Sequence, residues 1–304
     1  MIFLIRHRRL LYRVLLLAVF VAIGVYVYAN IEQIKAHPLQ YEWKFVAISF
    51  LFTTLGQLTG YVLWMRIAVS FGMRTSWPHA GKAWFLSRLG RYIPGKISIL
   101  LIRFDAYEGH SKTKVSAATI IEAFTSLCAV SFLFLLFAIT STSSVTPSTL
   151  SAALLVVVLL ALPHPSVMKI ILRCARRFLP IPPLDSLPRY RDSLGFVAIH
   201  LLSMLLHGGA LFLAFNAIGF VHVEHYLLIT SASFIAGLIG MLAVFAPSGI
   251  GVREGALFIM LSHVIDPGTL LVGAVLIRLA GVVSELLLSF FFIAYNGYIR
   301  TAVS

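Results

Sequence analysis

The sequence is poor in charge. Only 12% of its 304 residues are Asp, Glu, Lys or Arg, against 60% that are hydrophobic, whereas a soluble domain usually carries about 25% charged residues. That excludes a soluble globule, which could not cover itself with polar surface. Acidic groups are scarcest, 11 against 24 Lys and Arg. They are scattered rather than gathered into the carboxylate clusters that a hydrolase or transferase presents. Cysteine is nearly absent too. Cys128 lies in an apolar run and Cys174 in a basic stretch, settings that exclude a shared disulfide or a thiolate metal site. Also missing are a nucleophile elbow, a phosphate-binding glycine loop ending in Lys-Ser/Thr, and His-Glu-x-x-His spacing. No metal, no cofactor and no enzymatic activity are therefore expected.

What the sequence has in abundance is long apolar runs, at residues 10–28, 45–68, 115–140, 150–162, 194–220 and 270–295. A helix crossing a hydrocarbon core needs about 20 residues, and most of these runs suffice. The run at 150–162 does so only if the Ser and Thr before it join the helix. These runs are continuous, without the short alternating segments of a β-barrel, so the fold is an all-α polytopic membrane protein. The first run follows Arg6-His-Arg-Arg9 like a secretory signal, but it is longer than the 7–15 residues of a signal core and is read as a retained helix.

The surplus of basic residues could suggest nucleic acid, yet its distribution points to a membrane instead. Arg6 to Arg13, the stretch 66–114 and the central loop from Lys169 to Arg191 are basic, while the intervening loops carry only Lys35 and Lys44. Positive loops face the cytoplasm, which gives six crossings with both termini cytoplasmic. Two polar, Pro/Gly-broken segments, within 84–107 and 229–263, must then be re-entrant hairpins. With three crossings and one hairpin in each half, residues 1–145 and 146–304 form an inverted-topology repeat within one membrane domain, 1–304. The stretch Val167 to Leu179 has apolar and basic residues at helical spacing, which suits either a helix lying on an anionic leaflet or a basic linker.

Non-helical backbone at membrane depth survives only inside protein or beside a wet cavity. Pro94-Gly95 and Pro247-Ser248-Gly249, with Gly251 beyond, therefore mark a binding region, where helix N-termini offer seats for phosphate or carboxylate. Arg88, Arg91 and Lys96 near the first break add positive charge, although each also suits a cytoplasmic interface. Arg253 adds charge near the second, with Glu254 beside it as a neutraliser. Within the crossings, Glu122, Arg278 and Glu285 are costly to bury, so Arg278 is expected to pair with Glu122 or Glu285. His200 and His207 share a helix face, as a proton relay or as hydrogen-bonded core residues. Asp105 and Glu108 suit an interface.

These residues carry a resemblance. Leu89-Gly-Arg-Tyr-Ile-Pro-Gly-Lys-Ile97, Ser116-Ala-Ala-Thr-Ile-Ile-Glu122, Ala246-Pro-Ser-Gly-Ile-Gly-Val-Arg-Glu-Gly-Ala256 and Val275-Leu-Ile-Arg278 resemble the membrane domain of bacterial lysylphosphatidylglycerol synthases and their stand-alone, flippase-like relatives. The family commonly has Arg after the first-half Glu; here Ala123 follows Glu122. The resemblance implies a bacterial inner-membrane protein that moves an anionic lipid or a polyprenyl-phosphate-linked headgroup between leaflets. The soluble domain that makes the aminoacylated lipid is not found among these residues, so aminoacyl transfer is not expected. Two alternatives stay open: an enzyme acting on a lipid-linked phosphate or sugar through Asp105, Glu108, Glu122 or Glu254, and a membrane subunit that positions a glycosyltransferase or lipid-modifying enzyme. Partners are thus membrane lipids and the lipid substrate, with no nucleic acid.

Overall fold

A computed structural model describes residues 28, 41–74, 76–90, 97–140, 147–161, 164–175, 187–242, 249 and 251–303. The described chain is helical: α1 Trp43–Ser70, α2 Trp77–Leu89, α3 Ile97–Ala106, α4 Lys112–Thr140, α5 Pro147–Ala161, α6 Pro165–Ala175, α7 Tyr190–Asn216, α8 Tyr226–Leu242, α9 Val252–Leu261 and α10 Pro267–Val303. A 3-10 turn, Val223–His225, leads into α8. The expected first helix at 10–28 lies outside the described residues apart from Tyr28.

Local chemistry sets several boundaries. α5, α6 and α10 begin at proline, which tolerates the first helical turn because its missing N–H has no partner there. Asp266 precedes α10 and accepts the Thr269 N–H at 3.0 Å, a side-chain cap for one orphan donor. The ends of α8 and α9 meet where Gly249 and Gly251 take positive φ, 68° and 81°. A Cβ on Gly249 would stand 2.8 Å from the Gly240 carbonyl oxygen, so the turn needs glycine for both its backbone angle and its close approach to α8.

Five stretches are long and apolar enough to cross a membrane: Trp43–Ser70, Lys112–Ile139, Tyr190–Asn216, Val223–Leu242 and Pro267–Asn296. Four coincide with expected crossings. The fifth, leading into and along α8, is the first arm of the expected second hairpin and has crossing length by itself. By contrast α5 has 15 residues, short of the usual ~20, even though Ser148 and Thr149 do join it.

The two long helices α1 and α7 pack along one another at the centre. Small residues let their backbones close, as is usual between helices in lipid. Ser49 Oγ donates to the Ala210 carbonyl at 2.7 Å, and Ser203 Oγ to that of Gly56 at 2.8 Å. Around this pair, α2 lies against α10 and α8 against α4, while α10 also packs on α1 and α4 on α7. At the α2–α10 contact Phe85 stacks on Phe292 with ring centroids 5.3 Å apart.

Candidate functional site

A cavity of about 310 Å³ opens beside the central pair, walled by α1, α2, α4, α7, α8, α9 and α10. Six charged side chains line it: Arg88, Glu122, Arg253, Glu254, Arg278 and Glu285. All six were singled out by charge and position in the sequence, and the fold brings them into one chamber. Gly249 and Gly251 shape the turn entering α9. Arg91, Pro94, Gly95, Lys96, Pro247 and Ser248 lie outside the described residues.

The pairing differs from the expected one. Arg278 Nη1 donates to Glu254 Oε1 at 2.6 Å, rather than to Glu122 or Glu285. The reason is geometric: Glu254 stands in the first turn of α9, which packs directly on α10. Glu254 is therefore tied to more than its neighbour Arg253. Its second oxygen, Oε2, accepts the Gly251 N–H at 2.8 Å, so a carboxylate of this chain already holds a donor at the start of α9. That N-terminus is not an open seat.

Glu122 on α4 has a different partner again, Arg103 of α3, whose Nη1 donates to Glu122 Oε2 at 2.5 Å. Arg103 is only 2% exposed. It also donates to Thr119 Oγ1 at 3.1 Å and to Ser87 Oγ at 3.3 Å, and its guanidinium lies 3.7 Å from the centre of the Trp64 ring. Three hydrogen bonds and a π face replace much of the water it has lost. The sequence reading placed Arg103 in a basic cytoplasmic stretch and missed it. The available signal was its setting, Ile97-Ser-Ile-Leu-Leu-Ile-Arg-Phe104, where a lone cation follows apolar residues.

The third carboxylate, Glu285, is fully buried, and the nearer guanidinium nitrogen of Arg88 stands 3.7 Å away. Arg88, its side chain 37% exposed, lies over Trp84 at 5.1 Å. Gln57 ties α1 to the same stretch of α10, donating to the Gly281 carbonyl at 2.9 Å and accepting from Ser284 at 3.2 Å.

The described charges of the chamber are therefore both acidic and basic, while Arg91 and Lys96 lie outside the described residues. Each carboxylate has an arginine because a buried charge left alone costs several kcal/mol. Counting Arg103 behind Glu122, four arginines face three glutamates among the described residues.

His200 and His207 both line the cavity. His200 Nε2 donates to the Glu122 carbonyl at 3.2 Å and His207 Nδ1 to that of Ser203 at 2.8 Å. Asp105 and Glu108 are not among the lining residues; Glu108 is exposed. Cys128 is a buried free thiol that donates to the Leu159 carbonyl at 2.8 Å. Among the described residues no three His, Cys, Asp or Glu side chains gather as a metal-binding set.

Such a chamber can hold a polar group carrying negative charge inside an otherwise apolar bundle. No curated protein matches the chain. The family model described as Lysylphosphatidylglycerol synthase TM region matches residues 13–289, most of the chain and every residue of the chamber. The chain is a multi-pass membrane protein with a lipid-related role, and it belongs to the lysylphosphatidylglycerol synthase TM-region family.

Proposed function

We propose that the protein is a lipid translocator of the bacterial inner membrane. It moves an anionic phospholipid or lipid-linked (glyco)phosphate headgroup between leaflets and performs no chemistry on it. The observation carrying this reading is the charged chamber itself. A headgroup crossing bare hydrocarbon would bring its charge into a medium where ideal estimates of the cost reach tens of kcal/mol. Arginines and hydroxyls already buried in protein lower that barrier while the tails remain in lipid.

In this reading six crossings are residues 10–28, α1, α4, α5, α7 and α10, and the hairpins are α2–α3 and α8–α9, with both termini cytoplasmic. Matched packing supports an inverted repeat. α2 lies on α10 as α8 lies on α4, and α4 lies on α7 as α10 lies on α1. Exchange of helix contacts between halves about a central site is the usual route to alternating access.

The test is reconstitution in liposomes containing labelled anionic lipid, following leaflet exchange and lipid chemistry together. Exchange without a new product, lost in a folded Arg278→Ala variant, is the expected result. A new lipid product would make the protein an enzyme. Neither exchange nor product, with a glycosyltransferase or lipid-modifying enzyme co-purifying, would make it a scaffold.

A further inference from the structure

Glu254 occupies a position that a substrate anion would suit. One of its oxygens takes the Arg278 guanidinium at 2.6 Å and the other takes the Gly251 N–H at 2.8 Å. Glu254 and Arg278 are 12% and 14% exposed at their side chains, and both border the open cavity together with Arg253. Elsewhere in the cavity wall, Trp84 is 3% exposed and its indole Nε1–H has no acceptor. A buried donor left unmade costs about 1–3 kcal/mol, so this N–H is suited to an oxygen brought in from outside.

We propose that Glu254 is an internal counter-ion which a lipid phosphodiester displaces from Arg278, and that Trp84 Nε1 donates a second hydrogen bond to the same headgroup. This rests on the translocator reading and narrows its substrate class. A phosphodiester resembles a carboxylate in what matters at this seat: one negative charge spread over two acceptor oxygens. It can take the two contacts described for Glu254, one oxygen for Arg278 and one for the backbone N–H. A phosphomonoester carries about −1.5 to −2 at neutral pH and brings more charge than the carboxylate it replaces. Displaced Glu254 remains next to Arg253 in sequence, and so close to positive charge.

Competition of this kind reverses the usual effect of losing a charged residue in a binding site. When a seat is open only part of the time, apparent affinity falls by the open fraction. Removing the occupant therefore tightens binding. Glu254→Gln keeps an acceptor for the Gly251 N–H and removes the charge that holds Arg278. Trp84→Phe keeps the ring and removes the donor.

The experiment is calorimetric titration of the full-length protein in neutral detergent with dihexanoylphosphatidylglycerol, a phosphodiester monoanion, and with tail-less glycerophosphoglycerol. Melting curves confirm that each variant is folded. The expected result is that Glu254→Gln binds the lipid about tenfold more tightly than wild type, while Trp84→Phe binds it several-fold more weakly with an unchanged or higher melting temperature. Glu254→Asp, too short to bridge both partners, tightens binding as well and replaces the Gln variant should that one not fold. Wild-type binding that Glu254→Gln and Glu254→Asp leave equal or weaker overturns the displacement but not the translocator reading. No lipid binding by wild type or any folded variant overturns both. Glycerophosphoglycerol binding as tightly as the lipid overturns the assignment to a lipid and gives the seat to a soluble phosphodiester.

Discussion

Arg103 Nη1 lies 2.5 Å from Glu122 Oε2, joining the short helix α3 to the long helix α4. A second pair has its charges reversed: Glu254 on the short helix α9 meets Arg278 on the long helix α10 at 2.6 Å. In each case a short helix is locked to the next long helix by an ion pair inside the bundle.

Glu122→Gln leaves Arg103 in its pocket without a counter-charge. Removing one partner of a buried pair costs about 3–5 kcal/mol, so this variant should melt far below wild type in detergent. The double variant Arg103→Met/Glu122→Met, which removes both charges, should recover most of the loss. A single variant that melts like wild type would mean that the pair contributes nothing.

Reversing the same pair is predicted to recover less. In Arg103→Glu/Glu122→Arg the ion pair can re-form, but the new carboxylate at position 103 faces the negative face of the Trp64 ring, where the guanidinium now lies 3.7 Å from its centre. Losing that cation–π contact costs about 0.5–2 kcal/mol. The reversed protein should therefore lie between the Glu122→Gln variant and wild type in thermal stability. Full recovery would show that Trp64 serves only as packing.

Two glycines should respond in opposite directions to alanine. Gly249 has φ 68° and a Cβ there would meet the backbone of Gly240 at 2.8–3.0 Å. Left-handed backbone alone costs a side-chain-bearing residue about 1–2 kcal/mol, so Gly249→Ala should destabilise by at least that much. Gly195 lies within α7, and nothing stands within 4 Å of a Cβ built on it. Gly195→Ala should stabilise by about 0.5–1 kcal/mol. Paired melting curves check both signs.

Length and hydropathy were enough to find α1, α4, α7 and α10, because each buried face and lipid face is apolar and no competing pattern interferes. The same signal could not distinguish a full crossing from a hairpin arm at α8, since both are long apolar runs. Charge out of place in apolar surroundings located Glu122, Arg278 and Glu285. Their partners were not legible, because pairing depends on which short helix packs against which long one, and one sequence does not carry that information. Arg103 escaped because basic residues on both sides of it made the whole stretch look cytoplasmic. Trp84 and Gln57 escaped for a different reason: an indole or an amide within a helix looks like ordinary core until the cavity beside it is known.

The chamber as a route for headgroups can be tested without touching any charge. Gly237 on α8 borders the cavity, and nothing stands within 4 Å of a Cβ built on it. Gly237→Leu therefore adds apolar volume beside the cavity without pressing on the core, and its melting temperature should stay near that of wild type. All the buried ion pairs remain in place. If headgroups pass through the chamber, the added side chain obstructs them both sterically and by displacing polar surface. Leaflet exchange in liposomes should then fall by about tenfold or more, since each 1.4 kcal/mol added to a barrier costs a factor of ten. A folded Gly237→Leu protein exchanging lipid at the wild-type rate would place the route outside this cavity.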